Sequence, residues 1–272
     1  MITLDLAGWR VSLECQPAVL ADAVAARYAP FASTAPPHVQ VHVTQDGAPS
    51  AGSGQALHHH AWLDSLLALD GDSFTLAGPG LSDCFDLNSG QATLALHSTT
   101  PLEDVEFFVR MVYAWLAYHG GGLLIHAAGA LAAGRVHLFT GPSGSGKSTV
   151  ALLSPDTVIL NDDLVLLRPQ ADGWIAYGTP FWNATTVTRA GQTANGPVAG
   201  IYRLVQDRDV FLESLSRAAA VAELAANCPV INGDPARLPG LLARCQALAQ
   251  AVPVQRLHFR KDASFWGLLS SQ

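Results

Sequence analysis

The chain has 272 residues, enough for one large or two modest domains at ~100–200 residues each and long enough to bury a sizeable core. It is 49% hydrophobic and 14% charged, and its 15 basic against 22 acidic residues give a net charge of −7. That balance excludes a general nucleic-acid binder, which needs a basic surface to neutralise phosphates.

The first ten residues, MITLDLAGWR, carry an acid and an arginine where a secretory signal would be apolar, so the expected compartment is the cytoplasm. Cys15, Cys84, Cys228 and Cys245 lie far apart with no CxxC pair and read as small buried hydrophobes of a reducing compartment. Ile2–Leu6 and Trp9–Leu13 read as strands, and Ala18–Tyr28 as a helix opened by Pro17. Val39–Thr44 alternates apolar and polar positions as a half-buried strand does. A Gly/Ser/Pro-rich loop over 46–54 follows. Phe74–Ala77, Cys84–Leu87 and Ala92–Leu96 are further short strands between turn residues. His58, His59 and His60 alternate faces if they lie on a strand, so they cannot all reach one ion. Residues 1–100 thus form a small α+β layer without a chemical motif.

The character changes at Pro101. Glu103 and Asp104 suit the first turn of a helix running to about Tyr118. The apolar stretch Met111–Ala133 is too interrupted to span a membrane, because His119, Gly120-Gly121-Gly122 and His126 split it into two short elements. Leu123–His126, Ala130–Ala132 and Val136–Thr140 read as strands.

Directly after them, Gly141-Pro142-Ser143-Gly144-Ser145-Gly146-Lys147-Ser148 fits G-x-x-x-x-G-K-[ST], with Thr149 continuing into a helix. In a strand–loop–helix setting such glycines let successive N–H groups turn inward toward phosphate oxygens. Lys147 would reach the β- and γ-phosphates and the Ser148 hydroxyl would ligate Mg²⁺. Only Lys147 and Lys261 are lysines among the 15 basic residues, which singles out Lys147 further. The plain alternative is a Gly/Ser surface loop before a helix. Val158–Asp163 then reads as a strand ending in Asp162 and Asp163, the first of them 15 positions after Lys147. That spacing leaves no room for the modules that separate loop and acid in ABC or RecA-type ATPases. Two carboxylates facing such a loop would divide metal binding from proton acceptance, unless they are an ordinary exposed turn.

In their order, Leu124-Ile125-His126-Ala127-Ala128-Gly129, the loop 141–149 and Leu160-Asn161-Asp162-Asp163 resemble the C-terminal domain of HPr serine kinase/phosphorylase. The resemblance spans roughly Leu123 to Arg168. It implies an α/β fold with the P-loop kinase core that this group shares with phosphoenolpyruvate carboxykinase, behind the small N-terminal α+β layer. Pro142-Ser143 stand where the bifunctional enzymes usually carry an acidic residue, and their later glycine-rich segment is not found. The chain is therefore more similar to stand-alone HPr-kinase-related proteins, as in lasso-peptide-type biosynthetic clusters, which phosphorylate a peptide serine. The resemblance implies His126 near the transferred phosphate, with Lys147 and Ser148 holding ATP and Mg²⁺. It gives Asp162 and Asp163 the roles of metal ligand and base. Ser148 and Asp163 stand as metal ligands, though either acid fits either role.

Further on, Trp174–Tyr177 and Ile201–Gln206 read as strands joined by a long loop in which Phe181, Trp182 and Arg189 are candidates to meet the acceptor. Phe211–Ala226 and Ala236–Ala251 carry helical apolar spacing. Arg203, Arg208 and Arg217 are candidates to stabilise transferred charge. Val254–Phe259 reads as a strand and Ser264–Leu269 as a helix. The expectation is a kinase domain over 101–272 that phosphorylates a serine or threonine of a peptide or small protein. Residues 1–100 would recognise substrate or partner, no nucleic acid or membrane would be involved, and a homo-oligomer is left open. The alternatives are a small-molecule kinase of shikimate or nucleotide-kinase type and a non-catalytic ATP-binding regulatory module.

Overall fold

A computed structural model describes residues 1–45, 67–77, 81–154, 156–181 and 191–270. The loop at 46–54, His58–His60, Trp182 and Arg189 lie outside the described residues. The fold is mixed α/β, and the chain divides into two compact units, Met1–Leu116 and Ala117–Gln272.

In the first unit, β1 (Ile2–Leu6), β2 (Trp9–Cys15), α1 (Ala18–Tyr28), β3 (Val39–Gln45), β4 (Leu67–Asp70), β5 (Ser73–Ala77), β6 (Leu81–Asp86) and β7 (Gln91–Leu96) precede α2 (Pro101–His119). The strands form one sheet in the order β1-β2-β3-β7-β6-β5-β4. Alternation decides its inner face: Val39, Val41 and Val43 are buried, as are Leu81 and Phe85. Cys84 falls on the outward position of β6 and is exposed, unlike the buried Cys15, Cys228 and Cys245, so the expectation of four buried thiols holds for three. The expected domain boundary at residue 100 cuts off the helix that completes this core. Phe108 and Trp115 of α2 set their rings against Phe74, and the Tyr113 hydroxyl donates to the Leu4 carbonyl at 3.1 Å.

The second unit holds β8 (Leu123–His126), β9 (Ala128–Ala132), β10 (Arg135–Thr140), α3 (Lys147–Leu152), β11 (Val158–Asn161), β12 (Leu164–Gln170), β13 (Gly173–Tyr177), β14 (Asn195–Gln206), β15 (Phe211–Ser214), α4 (Arg217–Ala226), α5 (Leu238–Ala251), β16 (Val254–Phe259) and α6 (Phe265–Leu269). The order is β11-β9-β10-β14-β13-β12-β8, with β16 also on β14 and β15 on β16. Two expectations need correction. The stretch Asn195–Gly200 is strand, not loop: Asn195–Pro197 pairs with β13, and the chain from Val198 runs parallel to β10. Phe211–Ser214 is strand, not helix, because it pairs with β16; Ser216 then caps α4, its hydroxyl accepting from Ala219 N at 3.2 Å.

Phe139 of β10 and Tyr202 of β14 pack with Val150 and Ala151 of α3 and Phe265 and Leu269 of α6. Thr140 and Arg203, one position on, point the other way and meet α4. No helix among the described residues is long and apolar enough to cross a membrane.

Candidate active site

Strand β10 ends at the fully buried Thr140, and the loop Gly141–Gly146 leads directly into α3. Gly141, Gly144 and Gly146 sit at φ of 139°, 78° and 110°, the left-handed region that side chains disfavour. Space makes the demand stricter at two of them. A Cβ on Gly141 would stand 2.7 Å from Ser145 Oγ, and one on Gly146 2.7 Å from Phe259 Cζ. Ser145 N donates to Pro142 O at 3.1 Å, and Gln206 Nε2 grips Gly144 O at 2.9 Å. Pro142, Ser143 and Gly144 form an exposed crest, while Ser145, Ser148 and Thr149 are half-buried behind it.

Lys147 folds back over this loop, its Nζ donating to Gly141 O at 2.8 Å and Pro142 O at 3.3 Å. Burial lowers the pKa of its ammonium, and the carboxylates of Asp163 and then Asp162 oppose that shift. The two acids thus act on the same lysine that closes the loop.

Their placement is the work of Asn161, a fully buried side chain at the end of β11. Its Oδ1 accepts from Asp163 N at 2.7 Å and Leu164 N at 3.0 Å; its Nδ2 donates to Thr179 O at 2.9 Å and Thr179 Oγ1 at 3.0 Å. Thr179 in turn donates to Leu164 O at 2.6 Å. Asp162 is 3% exposed within this fixed turn, whereas the Asp163 side chain keeps 25% of its surface. Strand β12 then pairs with β8 in the register Leu164↔His126, which sets His126 Nε2 3.2 Å from Asp163 Oδ1. The backbone repeats the link, Ala127 N donating to Asp163 O at 2.9 Å.

A second group anchors the base of the loop. Glu223 of α4 accepts from Arg203 Nη1 at 2.9 Å, from Thr140 Oγ1 at 3.4 Å and from Asn227 Nδ2 at 3.1 Å. The Asn227 carbonyl accepts from His126 N at 2.7 Å, so one carboxylate ties the loop base to the histidine strand. Sequence reasoning assigned no role to Asn161, Thr179, Glu223 or Asn227. The signal for Glu223 was a lone acid among the alanines of Arg217–Ala226. Of the three candidate arginines, only Arg203 reaches this network; Arg208 and Arg217 are exposed on a turn and at the start of α4. Phe181 is fully buried and belongs to the core, so it is no surface contact for an acceptor.

The donors suit a hard cation held jointly with phosphate. Mg²⁺ characteristically takes one or two carboxylates plus substrate oxygens, and Ser148 with the acid turn supplies oxygen donors of that kind. Among the described residues no three His, Cys, Asp or Glu side chains form a ready-made metal cage.

Comparison with known proteins finds similarity among solved structures. No protein-family model matches the chain, and no curated protein matches it. Among solved structures it is similar to the HPr(Ser) kinase/phosphatase from Coxiella burnetii, at 12% identity, covering 54% of this chain and 91% of that one, with a TM-score of 0.29.

Proposed function

We propose that the chain is an ATP-dependent kinase that phosphorylates a serine or threonine hydroxyl of a peptide or small protein. The observation that carries this reading is the position of Lys147, donating to the carbonyls of Gly141 and Pro142 while the carboxylates of Asp163 and Asp162 act on it. The left-handed glycines let the loop turn tightly against Ser145 and Phe259, and beside Gly144, where a Cβ would meet nothing within 4 Å, the backbone stays open to an anion.

In the reaction, the acceptor oxygen bonds to the γ-phosphorus as the bond from that phosphorus to the β,γ-bridging oxygen breaks and ADP leaves. The hydroxyl proton passes to a carboxylate of the acid turn. Greater exposure and the pairing with His126 favour Asp163 as proton acceptor. That leaves Asp162, with Ser148, on the metal side, the reverse of the sequence-based expectation for Asp163. Mg²⁺, when bound, neutralises charge on the phosphate oxygens. Lys147 and the loop amides stabilise the charge that spreads over the transferred group. Residues 1–100, with the helix that completes their core, are proposed to recognise the acceptor or a partner.

The test incubates the protein with γ-labelled ATP, Mg²⁺, a peptide and small-protein pool and, separately, a small-metabolite pool, with Lys147→Met as the blank. Label on a serine or threonine that vanishes in the blank is the expected result. Label only in metabolites makes the chain a small-molecule kinase, and tight ATP binding without transfer makes it a regulatory module.

A further inference from the structure

We infer that Phe211, lying flat on His258, is the platform on which the nucleobase of the bound nucleotide stacks. The inference rests on the phosphate-binding reading of the loop and extends it to the other end of the nucleotide.

Strands β10, β14 and β16 are mutually parallel neighbours, so they end on the same edge of the sheet, where the loop Gly141–Gly146 lies. The loop leans toward β16. Gln206, the last residue of β14, holds the Gly144 carbonyl, and the Phe259 ring at the end of β16 abuts Gly146. Antiparallel β15 then places Phe211 opposite His258, one residue short of that end. Neighbouring strands are about 4.8 Å apart, so β15 stands roughly 14 Å from β10, comparable to the reach of a nucleotide from terminal phosphate to base.

The platform is rigid and has an open face. The two rings are 4.1 Å apart and inclined by 12°, yet Phe211 remains 42% exposed. His258 cannot turn away freely: its Nδ1 lies 2.8 Å from Asp207 Oδ2, and its Nε2 lies 3.3 Å from Glu213 Oε2. Arg256 Nη1 in turn holds Glu213 at 3.0 and 3.1 Å. Phe211 lies flat on this held imidazole, and every base offers a π-face to stack on its open side.

The experiment measures binding of Mg-ATP and Mg-tripolyphosphate to the full chain and to Phe211→Ala and Phe211→Trp. The base contact predicts that wild type binds ATP at least ten-fold more tightly than tripolyphosphate. Phe211→Ala should weaken ATP at least five-fold while leaving tripolyphosphate within two-fold. Phe211→Trp should keep ATP affinity, with indole emission quenched by ATP but not by tripolyphosphate. If wild type binds the two ligands equally, or Phe211→Ala keeps the wild-type ratio, the platform is overturned while the phosphate loop stands. If neither ligand binds wild type, the phosphate reading fails and the platform fails with it.

Discussion

His126 Nε2 stands 3.2 Å from Asp163 Oδ1, and both side chains keep about a quarter of their surface, 27% and 25%. A carboxylate that accepts a proton gains from a neighbour that orients it, and general-base catalysis contributes about 10²–10⁴-fold. Asp163→Asn should therefore lower the phosphotransfer kcat by roughly 100-fold or more, with nucleotide affinity within about three-fold. His126→Ala should cost on the order of ten-fold, and the double variant should be little worse than Asp163→Asn alone, because residues acting as a unit are not additive. Single-turnover rates of the four proteins decide it; full additivity would separate the two residues.

Asn161 makes four hydrogen bonds from a fully buried site, so it fixes the acid turn without touching substrate. Asn161→Leu fills a similar volume but strands the amides of Asp163 and Leu164. Leaving buried donors unsatisfied costs about 1–3 kcal/mol each, so a loss of about 2–6 kcal/mol is expected. Hydrogen exchange of the β10 and β14 amides under denaturant reports on this unit directly. Unchanged protection in the variant would deny Asn161 its role.

Gly146→Ala combines two faults, a φ of 110° and a Cβ 2.7 Å from Phe259 Cζ. Trimming the ring with Phe259→Leu relieves only the second. The backbone strain of about 1–3 kcal/mol stays. Mg-ATP affinity should drop about ten-fold in Gly146→Ala and recover only in part in the double variant. Titration calorimetry of both variants tests this, and complete recovery would show that contact alone requires the glycine.

How much of this was legible in the sequence depends on how local each signal is. Ala18–Tyr28, Leu123–His126 and Val254–Phe259 coincide with the observed elements, because apolar period and flanking turn residues suffice to bound them. The loop 141–149 was legible because its glycines, its lysine and its geometry occupy one short run. Asn195–Gly200 was misread because Gly196, Pro197 and Gly200 look like loop punctuation. The glycines serve close approach instead: a Cβ on Gly196 would meet Leu131 Cδ1 at 2.9 Å, and one on Gly200 would collide with the Tyr202 hydroxyl. Phe211–Ser214 has helix-like spacing, and only its long-range pairing with β16 makes it a strand. Asn161, Thr179, Glu223 and Asn227 are ordinary polar residues in sequence; their partners lie in other elements, so composition could not reveal them.

His137 is 7% exposed, and burial, aided by the nearby Arg135, lowers its pKa to about 4 from 6.5. Between those values the unfolded chain binds a proton that the folded unit refuses. Stability of the second unit should therefore fall as pH drops from 6.5 toward 4, by about 1–3 kcal/mol. His137→Phe should flatten that slope in thermal melts taken across this window. An unchanged slope would assign the acid sensitivity to other groups.

Asp83 carries the opposite sign in the first unit. Its Oδ1 accepts from Leu76 N at 2.9 Å, its buried Oδ2 has no hydrogen-bond partner among the described residues, and burial pushes its pKa up to about 8 from 3.8. From pH 3.8 to 8 the folded unit retains a proton that the unfolded chain has lost. Stability therefore declines as pH rises through this range, until the folded carboxyl also ionises. Asp83→Asn preserves the acceptor for Leu76 N and removes the titration. It should melt close to wild type at pH 5 yet be more stable at pH 8, by about 1–3 kcal/mol, the cost of a buried polar group left unmatched. Thermal melts of both proteins at the two pH values, followed by exchange of the β5 and β6 amides, separate this from a general effect. Equal melting at pH 8 would mean that Asp83 finds water or a counter-charge in solution.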